Sequence, residues 1–307
     1  MKKYNRIMLG RGSKYFEQCK NEGYIGADFN INEDLTMHLP EDWKAFNKKY
    51  IPVFMTNNPD KTKVGAGLGC GALWTVCKGL EVGDIVLSPN GKGEYIVGEI
   101  IGNYYYVPGT ELPHRRKVKW FDKTIARTEM SEALQHSTGS IGTCCNITDH
   151  SAEIEKLIKD VTPIGIVPTS TEIEEASQFA LEKYLEEFLV TNWKHTDLGK
   201  KYDIYEEDGE KVGQQYSTDT GAIDILAISK DKKTVLVIEL KRGRTSDVVV
   251  GQIQRYMGYV KEELLEPGQV VKGLIIGKED DLRLRRALSV CHNIEFYKYK
   301  IDFKLIK

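Results

Sequence analysis

Apolar and polar residues repeat with two periods along the second half of the chain, and these periods predict helices and strands. In 171–190, apolar residues recur every three or four positions behind Thr171 and Glu174, the pattern of a capped helix. The apolar, β-branched runs 220–229 and 234–240 flank the charged turn KDKK and predict a hairpin. Further helices and strands follow in alternation. This half therefore predicts a mixed sheet flanked by helices.

The first half has shorter apolar runs with frequent turn signals, which predict a compact, mainly β domain with a few helices. A segment rich in Pro, Gly and hydroxyl residues separates the halves, so we expect a domain at 1–160, a linker at 161–171 and a domain at 172–307. The series GAGLGCG lacks the third glycine of the dinucleotide fingerprint and predicts no nucleotide loop.

Composition narrows the possible partners of this 307-residue chain. A net charge of -2 gives no global attraction to polyanions, so a nucleic acid would need local basic clusters such as HRRKVKW, KRGR and RLRR. The six cysteines lack zinc spacing and are expected to be reduced thiols. No apolar run has the length of a signal peptide core or a membrane span, so we expect a cytoplasmic protein with no membrane contact.

Two charges interrupt the second strand of the predicted hairpin. Glu239 and Lys241 share one face, and a turn at Asp231 and Lys232 places Asp224 opposite Glu239. Cβ atoms at such positions lie about 4.5–5.5 Å apart, and two carboxylates this close repel unless a proton or cation lies between them. A divalent cation such as Mg²⁺ fits this pair, with Lys241 beside it; alternatively, a buried ion pair only stabilises the hairpin.

The segments TGAIDILA, VIELKRG and GQIQRYMGYV together resemble the PD-(D/E)xK nuclease superfamily, most closely the nuclease domain of the NucS/EndoMS and Mrr-type restriction endonucleases. The resemblance implies a restriction-endonuclease-like fold of the α/β (α+β) class. It also implies that Asp224 and Glu239 bind Mg²⁺, with Mn²⁺ as a substitute, that Lys241 serves the nucleophilic water, and that Gln252 supports the site.

The same resemblance implies a helical glutamate in the pattern E-x-x-L-x-x-x-L. Glu182 meets this pattern, with Leu185 and Leu189 three and seven positions further on, and is expected to be a third metal ligand. Glu186 competes for this role, although a glutamate at its position is typical of a helix surface.

The first half resembles the PUA/EVE-like barrel domains that are fused to Mrr-type nucleases, although Asp28-Phe29 stands where related domains often carry Trp. The resemblance implies nucleic-acid binding, with an extruded base held by aromatic rings. The candidate nucleic-acid-binding residues are Phe29, Asn30, Trp74, Tyr104 and Trp120 for a base, Arg115, Arg116 and Lys117 for phosphates, and Arg242, Arg244 and Arg255 from the second half.

The two resemblances together imply a Mg²⁺-dependent endonuclease that acts on double-stranded DNA, with or without modified bases, as a modification-dependent restriction enzyme. We expect a homodimer, because double-strand cutting by a nuclease with one site usually needs two protomers. One alternative is a repair endonuclease for mismatched or damaged DNA. The other is a binding module without catalytic activity, which the presence of Asp224, Glu239 and Lys241 disfavours.

Overall fold

The computed structural model describes residues 2–159, 184–207 and 209–300, and only the backbone of 242–244. The chain divides into two compact units, Met1–Val167 and Pro168–Lys307. The predicted linker at 161–171 lies outside the described residues. No helix within the described part of the chain is long and apolar enough to cross a membrane. All six cysteines have free thiols, and five of them are buried.

The first unit is built on a six-stranded sheet with the order β2-β5-β4-β3-β1-β6. The strands are β1 (Tyr4–Ile7), β2 (Tyr24–Ala27), β3 (Ile85–Pro89), β4 (Glu94–Tyr106), β5 (His114–Ala126) and β6 (Cys144–Asn146). β1 and β3 run parallel and the other neighbours antiparallel. Strand pairing of the described residues ends at β2 and β6, so the closed barrel implied by the resemblance is not among the observed pairings.

Helices cover this sheet, and apolar cores form around it. They are α1 (Phe16–Glu22), α2 (Trp43–Asn57), α3 (Lys63–Trp74), α4 (Glu132–Thr138) and α5 (Ser151–Ile158), with a π turn at Thr75–Gly79 after α3. Short 3-10 turns lie at Arg11–Ser13, Arg127–Glu129 and Thr148–His150. The series GAGLGCG lies inside α3, where a Cβ on Gly71 would come within 2.3 Å of the Trp43 ring. These glycines therefore serve close helix packing rather than a nucleotide loop.

The second unit contains the predicted mixed sheet flanked by helices, with the order β12-β11-β10-β9-β7 and β8 paired to β9. Its strands are β7 (Tyr202–Ile204), β8 (Gln214–Thr218), β9 (Gly221–Ser229), β10 (Thr234–Thr245), β11 (Val270–Asp280) and β12 (Ile294–Lys298). Its helices are α6 (184–191), α7 (Val248–Tyr259) and α8 (Leu282–Leu288), with a 3-10 turn at Trp193–His195 and a π turn at Val260–Leu264. β10, β11 and β12 are parallel, whereas β9 is antiparallel to its partners.

The hairpin of β9 and β10 has the register that its turn predicts. Val235 lies opposite Ile228, and Ile238 lies opposite Ile225. Lys232 has a φ of 62°, so the turn lies at the expected position. This register matters because one residue of slip would move the charged side chains of β10 to the opposite face.

The basic run HRRKVKW forms the first part of β5, but both of its arginines are buried in the unit. Arg116 is 6% exposed and donates from Nε to Val76 O at 2.7 Å and from Nη2 to Cys77 O at 3.0 Å. Arg115, also 6% exposed, donates to Leu112 O at 2.9 Å and lies 3.9 Å from the Tyr24 ring centre. Donors of both side chains contact internal groups, so the contact of these two residues with phosphates stays a prediction. Lys117 is exposed.

We expect Arg116→Met to lower the free energy of unfolding of the full chain by about 3 kcal/mol. The substitution leaves the buried carbonyls of Val76 and Cys77, in the π turn after α3, without their charged donor. Urea denaturation measures this difference. Lys117→Met is the matched control and should change stability by less than about 0.5 kcal/mol. Normal stability of Arg116→Met together with weaker DNA binding would support the phosphate interpretation.

Candidate active site

Asp224 in β9 and Glu239 in β10 lie where the pairing between these two strands stops. The last pair is Ile225 opposite Ile238, one position before Asp224 and Glu239. The next amide of β10, that of Leu240, donates to Asp224 Oδ2 at 2.8 Å. A side-chain carboxylate therefore accepts the hydrogen bond at this point of β10, and the hairpin brings Asp224 and Glu239 together as predicted.

Lys241 lies on the same face as Glu239, as strand alternation predicts. Its Nζ is 2.8 Å from Glu239 Oε1. The Glu239 side chain is 2% exposed, whereas that of Lys241 is 29% exposed. The carboxylate is thus deep in the unit, while the ammonium reaches towards solvent. An ion pair of this kind is a weak source of stability once the cost of burying the charges is included.

Burial and like charges act together on Asp224. Desolvation is the largest cause that raises the pKa of Asp224 well above its usual range, followed by the charges of Glu239 and Glu186. The Leu240 amide and the Lys241 ammonium act in the opposite direction. The site is therefore electrostatically prepared to accept a proton or a cation.

Glu186 on α6 is the third carboxylate near this pair. It is 3% exposed, and it accepts from Gln214 Nε2 at 2.8 Å and from Gln215 Nε2 at 2.6 Å. The expectation of a surface carboxylate at this position is therefore wrong. Glu182, to which the pattern assigned the third ligand, lies outside the described residues, and its role stays a prediction.

The helix α7 borders the site through Gln252 and Tyr256. Gln252 Nε2 lies 3.4 Å from the Tyr256 hydroxyl, and that hydroxyl would be 2.7 Å from a Cβ on Gly221, at the start of β9. Burial raises the pKa of Tyr256, and the charges of Glu239 and Asp224 add to the rise. Tyr256 therefore joins Gln252 at the site, although its helical spacing alone indicated only packing.

Sequence reasoning missed Gln214 and Gln215. Both precede the β9–β10 hairpin in the stretch GQQYS, which contains neither charge nor a helical repeat. Their significance depends on the contact of β8 with α6, which no local pattern reveals. Of the basic candidates in this unit, Arg255 is exposed. The side chains of Arg242 and Arg244 are not described.

The candidates for base binding in the first unit are half-buried aromatic residues and one exposed asparagine. Phe29 lies 6.3 Å from Phe54, and Trp74 lies 5.6 Å from Phe46, measured between ring centres. Trp120 Nε1 donates to Cys19 O at 3.1 Å. All of these rings pack against the main core of the unit. The rings are thus partly committed to packing, and their role in binding a base stays a prediction.

Two other base candidates have polar atoms that already form internal contacts. The Tyr104 hydroxyl accepts from Leu35 N at 3.1 Å and lies 3.0 Å from His114 Nδ1. The Asn30 amide donates to Asn58 Oδ1 at 2.6 Å. Asn30 has a φ of 57°, in the left-handed region that Asn tolerates better than most residues.

The carboxylates of Asp224 and Glu239 fit a hard divalent cation. Within residues 2–159, 184–207 and 209–300, no group of three or more His, Cys, Asp or Glu side chains is placed to enclose a metal. Mg²⁺ does not need such an enclosure, because it keeps several waters and is usually held by one or two carboxylates together with substrate phosphate. Asp224 and Glu239 can supply these carboxylates.

A mixed sheet with helices on its faces and a carboxylate–lysine site on two paired strands is the arrangement of PD-(D/E)xK nuclease domains, and the second unit has it. Residues 196–299 match the family model described as the endonuclease NucS C-terminal domain. Residues 6–148 match a domain of unknown function, DUF8426. The second unit is therefore NucS/EndoMS-like, whereas the ligand of the first unit is not identified by its family.

Endonuclease NucS of Methanocaldococcus jannaschii is 32% identical over 95 residues, which cover 27% of this chain and 35% of that protein. The chain thus spans about a third of the length of the curated relative it matches. A repair endonuclease from Pyrococcus abyssi is 14% identical with a TM-score of 0.30, covering 69% of this chain and 66% of its own. EndoMS in a complex with double-stranded DNA is 14% identical with a TM-score of 0.31, covering 72% and 66%.

We expect Ca²⁺ to stabilise the metal-free protein more at pH 8 than at pH 5. Because the folded-state pKa of Asp224 is raised, the folded protein holds a proton that the unfolded chain releases, and this stabilising contribution is lost as the pH rises through the folded pKa. A cation replaces the proton above that pH. With free Ca²⁺ at about 100 times its Kd, the gain in unfolding free energy is about 2.7 kcal/mol.

Thermal melting with Ca²⁺ or EDTA at several pH values measures this effect. Glu239→Ala should lose the Ca²⁺ response, whereas Glu187→Ala, at an exposed position next to Glu186, should retain it. A response that is equal at both pH values, or unchanged in Glu239→Ala, would contradict the expectation.

Proposed function

We propose that this protein is a Mg²⁺-dependent DNA endonuclease that hydrolyses phosphodiester bonds. The second unit cuts, and the first unit selects the DNA. The observation that carries the proposal is the convergence of two carboxylates, half-buried Asp224 and buried Glu239, with the ammonium of Lys241 at 2.8 Å from Glu239. A metal ion is the simplest partner for such a charge arrangement.

Asp224 and Glu239 would hold the metal, for which Mn²⁺ could substitute. When bound, it polarises the scissile phosphate and lowers the pKa of a water molecule. The Leu240 amide orients Asp224 by its hydrogen bond to Oδ2. The Lys241 ammonium contacts the buried Glu239 carboxylate, and the Lys241 side chain is partly exposed. The ammonium can therefore orient the attacking water or neutralise charge that develops on the phosphate.

Gln252 and Tyr256 would support the site from α7. Tyr256 packs against the start of β9 at Gly221, and Gln252 lies within hydrogen-bonding distance of its hydroxyl. A change at either residue would therefore act on the position of the carboxylates through the backbone of β9. Glu186 adds a third negative charge from α6.

The first unit would supply discrimination between DNA substrates. Contacts with phosphates carry no sequence information, so a site made of carboxylates and lysine cuts without choosing a base. Exposed Lys117 and the half-buried rings of Phe29 and Trp74 are the features that support a nucleic-acid surface in this unit. A modification-dependent restriction enzyme, acting as a homodimer on double-stranded DNA, is the role we infer.

A repair endonuclease is the second candidate function. The match of residues 196–299 to the endonuclease NucS C-terminal domain favours it. That similarity concerns the cutting unit alone. The two roles differ in substrate rather than in chemistry. A mismatched or damaged duplex would be cut in the repair role, and a duplex with modified bases in the restriction role.

We expect Glu239→Ala and Lys241→Met to reduce cleavage of duplex DNA in Mg²⁺ by at least about 100-fold, because each removes a group that acts on the reacting phosphate. DNA binding in EDTA should remain within about threefold of the wild type. Glu187→Ala is the control on an exposed position. Metal-dependent cutting by Glu239→Ala at the wild-type rate would overturn the assignment, and binding without cutting by the wild type would favour the module without catalytic activity.

The full-length protein should cut a duplex with modified bases faster than unmodified or mismatched duplexes, and Phe29→Ala should reduce this preference. Lys117→Met should weaken binding uniformly and reduce the slope of log K against log salt by about 1, because it removes one phosphate contact. Competition cleavage assays and binding at several salt concentrations measure both effects. A preference for mismatched duplexes that Phe29→Ala leaves unchanged would favour the repair role instead.

A further inference from the structure

Gln215 in β8 has a backbone conformation that is unusual for its residue type. Its φ is 49°, in the left-handed region where residues other than Gly, Asn and Asp are rare. Its neighbours Gln214 and Tyr216 pair with Ile225 and Ile223 of β9. The strained residue therefore lies between two regular pairs, beside Asp224. Strain of this kind persists where the surrounding structure holds it, often at functional sites.

The side chain of Gln215 joins two of the carboxylates. Its Nε2 donates to Glu186 Oε2 at 2.6 Å and to Asp224 Oδ1 at 3.2 Å. An amide nitrogen carries two N–H donors, and ionised carboxylate oxygens only accept. The nitrogen must therefore face both carboxylates, and one amide group can satisfy one oxygen of each.

This bridge completes the positioning of Asp224. Its Oδ2 is held by the Leu240 amide, so Gln215 holds the remaining oxygen and links it to α6. Gln214 differs, because its side-chain amide donates to Glu186 Oε1 rather than bridging to Asp224. The two neighbouring glutamines thus form a matched pair in which only one reaches the strand carboxylate.

We propose that Gln215 is a positioning residue, which holds Glu186 and Asp224 in the relative arrangement that the metal requires. The inference rests on the proposed metal-dependent function and adds a residue outside the carboxylate–lysine motif. A purely structural role would affect folding stability and leave metal affinity unchanged, so the two roles can be separated by experiment.

Isothermal titration with Mn²⁺ in the absence of DNA tests the proposal on the full-length protein. Gln215→Leu, which removes the amide at similar size, should weaken Mn²⁺ binding by about 10–100-fold, as expected for groups that orient metal ligands. Gln214→Leu should weaken it by less than about threefold, because Asp224 keeps its bridge. Cleavage assays with the same variants should show the Gln215→Leu defect decreasing as Mn²⁺ is raised.

A double-mutant cycle with Glu186→Gln tests whether Gln215 acts through the carboxylates. In that background, Gln215→Leu should have a clearly smaller effect than in the wild type, because the bridge has already lost one charged partner. Fully additive effects would overturn the proposal, as would wild-type Mn²⁺ binding by Gln215→Leu.

Gln215→Asn separates loss of the bridge from a folding defect. Asn tolerates the left-handed backbone conformation, and its shorter amide cannot reach both carboxylates. It should fold with wild-type circular dichroism and still bind Mn²⁺ more weakly. Wild-type affinity in Gln215→Asn would assign the effect to the backbone instead and overturn the proposal. Absence of Mn²⁺ binding by the wild-type protein would overturn the metal site itself, which is a distinguishable result.

Discussion

The placement of like-charged carboxylates away from solvent is the constraint on which the second unit depends. Asp224 and Glu239 come from paired strands and Glu186 from α6. Desolvation raises the pKa of Asp224, and the negative charges of Glu239 and Glu186 add to the rise. The unit places a donor beside each of them: the Leu240 amide, the Lys241 ammonium and the amides of the two glutamines. These donors reduce the cost of burial but add only one full positive charge, which leaves the site favourable for a cation.

The first unit buries cations, and most of their donors contact backbone carbonyls. Arg6 is fully buried and donates to Gly142 O at 2.5 Å and Ser140 Oγ at 2.8 Å. Arg116 donates to the Val76 and Cys77 carbonyls in the π turn that follows α3. A guanidinium can do this because it has five donors in a planar fork. Basic residues in this unit therefore stabilise turns and helix ends before they can serve a polyanion.

Local sequence patterns correctly predicted the structural features that depend on residues close together in the chain. The β9–β10 register followed from one turn and from strand alternation, which also placed Lys241 on the face of Glu239. Patterns failed where a contact joins distant segments. Glu186 is buried where the glutamines of β8 contact it, and Arg116 of β5 is buried where it donates to the Val76 and Cys77 carbonyls after α3. Sequence periodicity describes which face a side chain leaves from, but not what packs there.

Under the proposed function, specificity must come from groups other than those that react. The carboxylates and Lys241 would act on a phosphodiester that every DNA substrate shares, so no adjustment among them would distinguish one base from another. Their geometry would instead set the rate for any strand that reaches the site. Arg115 and Arg116 are buried and donate to backbone carbonyls, so Lys117 is the exposed cation among residues 115–117. With so few charges, electrostatic attraction by this run is weak, and selection of a substrate would depend on ring stacking and shape rather than on charge.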